Sequence, residues 1–190
     1  RPPSSTRKES SAASDVYKRQ GGGHCSEAIS KLLPSTGWNY SVQDTREAFA
    51  RSELYPSAVE LHSSSVEDFF ENETNETLSR FSDILLLGHD YQEDLERLKM
   101  ILHSAQSSNS SLDGNEFPRI GAIGSRSKWQ TFESACIDDG IEQIYLSDVR
   151  CPIGLNVGAD SPEEIAIAVL AEILSLHKGV DVHSPTWREK

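Results

Sequence analysis

The chain has 190 residues and a net charge of −12, and this length is sufficient for one domain with a full core. It contains no apolar run near the roughly 18 residues that a membrane-spanning helix needs. The acidic balance disfavours binding to nucleic acid or to an anionic membrane through bulk charge. We therefore expect neither nucleic acid nor a membrane among its partners.

Residues 1–20 differ in character from the rest of the chain. They are rich in serine, lack apolar periodicity and carry five of the 18 basic residues. The stretch 11–20 (SAASDVYKRQ) resembles translated adaptor sequence of the kind that contaminates environmental gene fragments. We therefore predict a non-native or disordered leader over 1–20, a domain over 21–179 and a tail over 180–190.

A glycine-rich turn opens the predicted domain. Residues 21–26 read Gly-Gly-Gly-His-Cys-Ser, a near-match to the Gly-x-Gly-x-x-Gly turn that receives a dinucleotide phosphate at a helix N-terminus. Asp44 follows Gly23 by 21 residues, the spacing of an acid that binds a ribose hydroxyl. Such a turn follows an apolar strand, and no such strand precedes Gly21, so we predict that the native first strand is missing. Two alternatives stay open: the glycines only make a turn, and Asp44 is a plain strand-end acid.

Apolar periodicity predicts alternating helices and strands along the remaining sequence. The predicted helices cover 26–33 (ended by Pro34), 91–103, 128–138 and 165–177, with a patchy helical pattern over 63–80, and the predicted strands cover 38–43, 58–62, 83–87 and 120–123. A polar loop is predicted over 106–118 and an irregular connector over 145–152. Residues 161–164 (Ser-Pro-Glu-Glu) form a capping box before the last helix.

This alternation predicts an α/β fold, a Rossmann-like doubly wound parallel sheet. Ligands of such sheets bind outside the carboxyl ends of the strands. The side chains and turns at those ends are the candidate ligand-binding residues: Gly21, Gly23, His24, Asp44, Arg46, His89, Asp90, Gly124, Ser125, Arg126 and Lys128. We expect no catalytic residue and no metal ligand among them.

Each candidate has a structural alternative. His24 either contacts a ligand or caps a helix, and Arg46 either binds phosphate, pairs with Asp44 or stays solvated. His89 either binds a ligand or is a hydrogen-bonded structural histidine. The basic residues from Arg126 to Lys128 either complete an anion site or form a solvated first helical turn.

The chain has three cysteines, Cys25, Cys136 and Cys151. An odd number without a Cys-x-x-Cys pair predicts unpaired thiols in a reducing compartment. Ligation of a soft metal or of sulfur by Cys25 or Cys151 is the alternative, and buried, unreactive thiols are favoured.

Five blocks of residues together resemble one family, the Rossmann domain of XdhC/CoxI proteins, over about residues 21–178. They are Gly-Gly-His at 22–24, Asp-Thr-Arg at 44–46, Gly-His-Asp-Tyr at 88–91, Ile-Gly-Ser-Arg-Ser-Lys at 123–128 and Pro-Ile-Gly-Leu-Asn-Val-Gly-Ala-Asp-Ser-Pro-Glu-Glu-Ile-Ala at 152–166. The last two blocks are the most specific, because they belong to no general dinucleotide-binding motif.

The resemblance implies an accessory protein, a chaperone that binds molybdenum cofactor and assists its insertion into a xanthine dehydrogenase-like molybdenum hydroxylase. It also implies a cytoplasmic homodimer and contact with a cysteine desulfurase. Members of the family carry a further N-terminal domain with a cysteine implicated in cofactor binding, and this sequence lacks that domain. The alternatives are an NAD(P)-dependent oxidoreductase, with Asp44 on the ribose and His89 as proton donor, and a nucleotide-sensing module.

Overall fold

The structure, a computed structural model, describes residues 22–88 and 90–183. Seven α-helices and four strands are found there. The helices are α1 (Gly22–Thr36), α2 (Val66–Glu71), α3 (Asn75–Leu78), α4 (Tyr91–Ser108), α5 (Arg126–Asp138), α6 (Gln143–Ser147) and α7 (Pro162–Lys178), and the strands are β1 (Ser41–Asp44), β2 (Glu60–Ser63), β3 (Asp83–Leu86) and β4 (Arg119–Ala122). The predicted leader, Gly21 and His89 lie outside the described residues. None of these helices combines the length and the apolarity needed to cross a membrane.

The strands form two parallel pairs, β1 with β2 and β3 with β4. A single parallel bridge from Gly121 to Arg150 extends the second pair. In a doubly wound sheet the strand before α1 lies between the strands that correspond to β1 and β3, and the residues before α1 lie outside the described part. The Rossmann-like α/β fold predicted from the sequence is confirmed.

Alternating side chains of β3 divide the core into two layers. Ile84 and Leu86 pack into a cluster that contains the buried faces of α4 and α5, whereas Leu85 and Leu87 pack with α1 and α7 on the opposite face. Helices therefore cover both faces of the sheet, as expected for strands that are buried on both sides. Helices α1 and α7 pack against each other over the second face.

Local signals explain where most helices begin and end. Asp90 and Ser125 accept backbone hydrogen bonds as the N-caps of α4 and α5. The predicted capping box at Ser161 is confirmed, and α7 ends at Gly179 in a left-handed conformation. The patchy pattern over 63–80 folds as two short capped helices, α2 and α3.

Most boundaries differ from the sequence prediction by a few residues, and three of the differences are instructive. Pro34 does not end α1, which continues to Thr36, because a proline in the last turn removes only one terminal hydrogen bond. Helix α4 continues to Ser108 and ends at Asn109, a non-glycine residue with φ of 51°. The connector predicted over 145–152 contains the end of α6.

Candidate functional site

The start of α1 carries the described part of the glycine turn. Gly22 is the first residue of α1, so Gly23 and His24 lie within its first turn. Gly23 is buried, whereas His24 is exposed to solvent. The first turn has no acidic residue, so the positive end of the helix dipole meets no carboxylate of its own. A ligand contact by Gly23 or His24 stays a prediction.

Asp44, at the end of β1, is fully buried and is paired with Arg46. Arg46 Nε donates to one carboxylate oxygen at 2.9 Å and an Nη atom donates to the other at 2.8 Å. The Arg46 backbone N–H donates a third hydrogen bond to Asp44 at 2.9 Å. Of the alternatives for Arg46, the structure has the pair with Asp44. A ribose or pterin contact by Asp44 stays a prediction, and it requires this pair to open.

A polar network beside this pair links β1 to α4, and sequence reasoning did not identify it. Arg97 Nε donates to Gln43 Oε1 at 2.9 Å, and both side chains are buried. Arg97 also contacts Glu93 at 3.3 Å, and Glu93 accepts from Thr45 Oγ1 at 3.0 Å. Arg97 lies next to the apolar stripe of α4 that includes Leu98, and a cation at such a position is the signal that predicts a buried partner.

Lys128 is turned inward from the first turn of α5. Its Nζ lies 2.6 Å from Asp94 Oδ2 and 3.1 Å from the carbonyl oxygen of Ile123. Asp94 is fully buried and also accepts from the Gly88 backbone N–H at 3.2 Å. A Cβ on Gly124 would lie 2.6 Å from Lys128 Cδ, so the glycine leaves room for the lysine to fold back. Lys128 therefore holds α5 to α4, and its predicted anion contact stays a prediction.

The remaining candidates lie at the starts of α4 and α5. Asp90 caps α4 by accepting from the backbone N–H groups of Gln92 and Glu93 at 2.8 and 3.1 Å. Ser125 caps α5 and accepts from the Lys128 backbone N–H at 3.2 Å. Arg126 is exposed, and no ion pair of its side chain is found within the described chain. Arg126 is thus a cation at this edge that remains available to an anion.

An open groove of about 610 Å³ lies beyond the carboxyl end of β4. Small and apolar side chains and the main chain make its walls. They come from the end of β4, from the loop that follows the cis Cys151–Pro152 peptide, and from the start of α7: Ile123, Gly124, Pro152, Ile153, Gly154, Leu155, Asn156, Val157, Gly158, Ala159, Ile165 and Ala168. Sequence reasoning placed Gly124 at this edge, but it did not include the loop residues among the candidates.

The loop wall of the groove is fixed to α7. Gly154 has φ of 112°, and a Cβ there would meet Val169 at 3.4 Å, so a residue without a side chain permits the close approach. The Gly154 backbone N–H donates to Glu172 Oε2 at 2.6 Å, and Arg150 donates to the other oxygen of Glu172 at 3.1 Å. These contacts fix the position of the loop beside the groove.

Residues 20–173 match the family described as the XdhC Rossmann domain. The chain belongs to this family. The resemblance inferred from the five sequence blocks is thereby confirmed.

Two relatives and one solved structure illustrate the extent of the similarity. This XdhC Rossmann domain is 29% identical over 157 residues to the uncharacterised protein YqeB of Escherichia coli (strain K12), covering 82% of this chain and 26% of that protein. It is 29% identical over 163 residues to a probable xanthine dehydrogenase subunit of Bacillus subtilis (strain 168), covering 85% and 43%. The crystal structure of a xanthine dehydrogenase from Bacillus halodurans matches with a TM-score of 0.68 at 20% identity, covering 94% of this chain and 46% of that one.

The structural match supports the fold alone, and the chain corresponds to only part of each of these proteins. The XdhC Rossmann domain spans less than half the length of each of these proteins. Within residues 22–88 and 90–183, no group of three or more His, Cys, Asp and Glu side chains is arranged to hold a metal ion.

Burial disfavours the thiolate form of all three cysteines. Cys25 and Cys136 are buried, and Cys151 is half-buried beside the groove. Burial raises the pKa of Cys136 to about 11 and also raises the pKa values of Cys25 and Cys151. Because the thiolate is the reactive form, these values agree with the predicted unreactive thiols.

Proposed function

We propose that this domain is the ligand-binding part of an accessory protein for a xanthine dehydrogenase-like molybdenum hydroxylase, and that it holds molybdenum cofactor in the groove. The observation that carries the proposal is the position of the groove beyond the carboxyl end of β4. Its lining residue Gly124 lies two positions before Arg126 in the sequence. Ligands of open α/β sheets bind at this edge. The family, and a relative described as a probable subunit of xanthine dehydrogenase, support a partner enzyme of this class.

The shape of the groove suits the cofactor. Molybdenum cofactor is a pterin with a phosphate, in some forms extended by a nucleotide. A volume of about 610 Å³ lies within the roughly 300–1,000 Å³ typical of small-molecule sites. The apolar and main-chain walls, such as Leu155 and Val157, suit a flat ring that is recognised through its edges.

The charges favour one orientation of the ligand. The start of α7 already has its own acid, because Glu164 accepts from the Asp160 and Ser161 backbone N–H groups at 2.9 and 3.1 Å. The start of α5 has no acidic residue in its first turn and carries the exposed Arg126. An anion is stabilised at a helix start of this kind. The phosphate would therefore lie toward α5, with the ring toward the loop.

In this proposal the domain binds and releases the cofactor and catalyses no chemical step. The bidentate pair with Arg46 occupies Asp44, the acid that the dinucleotide interpretation assigns to the ribose. This pair disfavours NAD(P) as the ligand. Delivery to a hydroxylase, contact with a cysteine desulfurase and formation of a homodimer belong to the whole protein, and we propose them on the family relationship alone.

A retention experiment tests the proposal. The purified chain is mixed with molybdenum cofactor released from a heat-denatured molybdenum hydroxylase and desalted, and the retained pterin is then oxidised and measured by fluorescence. We expect retained pterin at a ratio near one per chain, and no displacement by NADH. No pterin above that of an unrelated protein, or full displacement by NADH, contradicts the proposal.

A pair of arginine variants tests the proposed orientation. Arg126→Ala removes the exposed cation beside the groove and is expected to weaken retention about tenfold, the effect of one charge-assisted hydrogen bond. Arg51→Ala removes an equally exposed arginine from the loop after β1 and should retain pterin like the parent chain. Equal retention by the two variants contradicts the assignment of the phosphate to α5.

A further inference from the structure

The segment 154–161, which forms one wall of the groove and leads into α7, pairs most of its main-chain N–H groups within the domain. Protein acceptors are found for the N–H groups of Gly154, Leu155, Val157, Asp160 and Ser161. Most of these acceptors lie on α7, among them the carboxylates of Glu164 and Glu172. The segment is therefore held in place by hydrogen bonds of its own.

The other N–H groups of this segment, those of Asn156, Gly158 and Ala159, have no acceptor within residues 22–88 and 90–183. All three residues line the groove. Unpaired main-chain N–H groups are less common in proteins than carbonyl oxygens with spare capacity, so they say more about what a site can bind. A ligand in the groove is in position to accept hydrogen bonds from this wall.

Asn156 adds a polar side chain to these donors. The other described residues that line the groove are glycine, alanine, proline and branched aliphatic residues. The Asn156 amide makes no hydrogen bond within the described chain, and it supplies an acceptor, Oδ1, as well as a donor, Nδ2. Small-molecule sites combine apolar walls with a few polar groups that fix the orientation of the ligand. This wall of the groove therefore has the composition of a surface that reads the edge of a ring.

A phosphate is the other kind of ligand that main-chain donors bind, because successive N–H groups beside a left-handed residue form a concavity for anions. Gly158 has φ of 75°. However, Asp160 follows directly in the sequence, and Glu163 and Glu164 lie in the first turn of α7. Like charges this close repel each other. A neutral acceptor therefore suits these donors better than a phosphate does.

We propose that residues 156–159 recognise a lactam edge, a ring carbonyl oxygen beside a ring N–H, and thereby select the oxo form of a flat heterocycle. The pterin of the proposed function, on which this inference rests, carries such an edge. The main-chain N–H groups of Gly158 and Ala159 donate to the ring oxygen, and Asn156 Oδ1 accepts from the ring N–H. An amino group in place of the oxygen would face main-chain donors, which cannot become acceptors.

Binding of two free pteridines to the 190-residue chain tests this selection. 2-Amino-4-oxopteridine carries the lactam edge, whereas 2,4-diaminopteridine has an amino group in place of the ring oxygen. In equilibrium dialysis we expect at least tenfold tighter binding of the oxo compound, because donors that face donors lose their hydrogen bonds. Equal affinities, the reverse order, or binding of neither compound overturns the proposal.

A pair of asparagine variants tests the side chain. Asn156→Ala should weaken binding of the oxo compound about fivefold, the effect of one neutral hydrogen bond, and should reduce its advantage over the diamino compound. Asn39→Ala removes an exposed asparagine between α1 and β1 that makes no hydrogen bond within the described chain, and it should bind both compounds like the parent chain. Equal effects of the two variants overturn the assignment of Asn156.

Inorganic phosphate distinguishes a ring site from an anion site at the same donors. Phosphate bound at the start of α5 should leave the binding of free 2-amino-4-oxopteridine unchanged. Displacement of this compound by phosphate would show that residues 156–159 hold an anion, and it would overturn the proposal.

Retention of molybdenum cofactor separates this inference from the proposed function. A chain that retains the cofactor but binds both pteridines equally overturns the selection of a lactam edge and leaves the proposed function standing. A chain that prefers the oxo compound but retains no cofactor supports the selection and contradicts the proposed function.

Discussion

The depressions at the two edges of the sheet are lined by different kinds of side chain. At the amino edge, a depression of about 500 Å³ is lined partly by the charged side chains of Asp113, Arg119, Asp148 and Arg150. At the carboxyl edge, the groove of about 610 Å³ is lined by glycine, alanine and apolar side chains together with Asn156, and by no charged side chain. The comparison indicates that the carboxyl edge suits a flat organic ring, whereas the amino edge is a charged end of the sheet.

Buried ion pairs join neighbouring elements at both edges of the sheet. At the amino edge, Asp83 accepts from Arg119 Nε at 2.8 Å and lies 2.9 Å from His177 Nε2. At the carboxyl edge, Asp94 and Lys128 form a pair beside the groove. Lys128, which was predicted to bind a ligand, is thus used to join α5 to α4, and the predictions below separate such structural roles from binding.

The largest effect is expected from Asp94→Ala at the carboxyl edge. The change leaves the largely buried Lys128 ammonium and the Gly88 N–H without their acceptor. Breaking a buried pair by removing one partner costs about 3–5 kcal/mol of the free energy of unfolding. Urea denaturation measures the loss. The double variant Asp94→Leu/Lys128→Met should lose less than Asp94→Ala alone, and a loss below about 1 kcal/mol in Asp94→Ala contradicts the role of the pair.

At the amino edge, Asp83→Asn should cost about 1.5–3 kcal/mol at pH 7, the range for hydrogen bonds to a charged group. Burial alone would raise the pKa of Asp83, but hydrogen bonds from His177 and Arg119 outweigh it and hold the pKa below its usual range. The ionised form therefore stabilises the fold at neutral pH, and this contribution is lost as the pH falls below about 4 and through the folded-state pKa. The difference in unfolding free energy between the parent chain and Asp83→Asn should shrink from pH 7 to pH 3. A constant difference contradicts the account.

A smaller effect is expected where the groove loop packs on β4. A Cβ at Gly121 would lie 2.1 Å from Ile153 Cδ1, so Gly121→Ala should cost about 1 kcal/mol, because overpacking is destabilising but the end of the isoleucine can rotate. Ile153→Val removes that methyl group. In urea denaturation the double variant should therefore lose less than the sum of the single variants, and simple additivity would argue against this contact.

The smallest effect concerns the thiols. With a pKa of about 11, roughly 0.1% of the Cys136 side chain is thiolate at pH 8. Titration of the native chain with a chromogenic disulfide at pH 8 should show slow reaction, and all three cysteines should react at once in guanidinium. Immediate reaction of Cys136 in the native chain would contradict its burial.

The sequence predicted features whose cause is local. The capping box at Ser161 was identified because its residues lie within one turn, and β3 was identified from its continuous apolar run. The inward turn of Lys128 was missed because its partner Asp94 is 34 residues away and only the tertiary fold brings the two together. The pair between Asp44 and Arg46 was among the alternatives, but sequence alone gave no reason to prefer it.

The groove shows the same limit. The block over 152–166 was identified as specific to the family, but its residues alone do not predict that the loop forms one wall of the groove. That geometry depends on Glu172 from the following helix, which accepts from Gly154 at 2.6 Å, and on the packing of Gly154 against Val169.

The central claim is that an anionic pterin binds in the groove at the carboxyl edge, and one pair of variants tests it most directly. Val157 lines the groove and is 65% exposed, and Val59 lies elsewhere and is 63% exposed. The dissociation constant for released molybdenum cofactor is measured by pterin retention for Val157→Asp and Val59→Asp. The account predicts at least tenfold weaker binding in Val157→Asp, because the change puts a hydrated negative charge in the apolar wall proposed to face the ring of an anionic ligand, and parent-like binding in Val59→Asp. Equal binding by the two variants would contradict it.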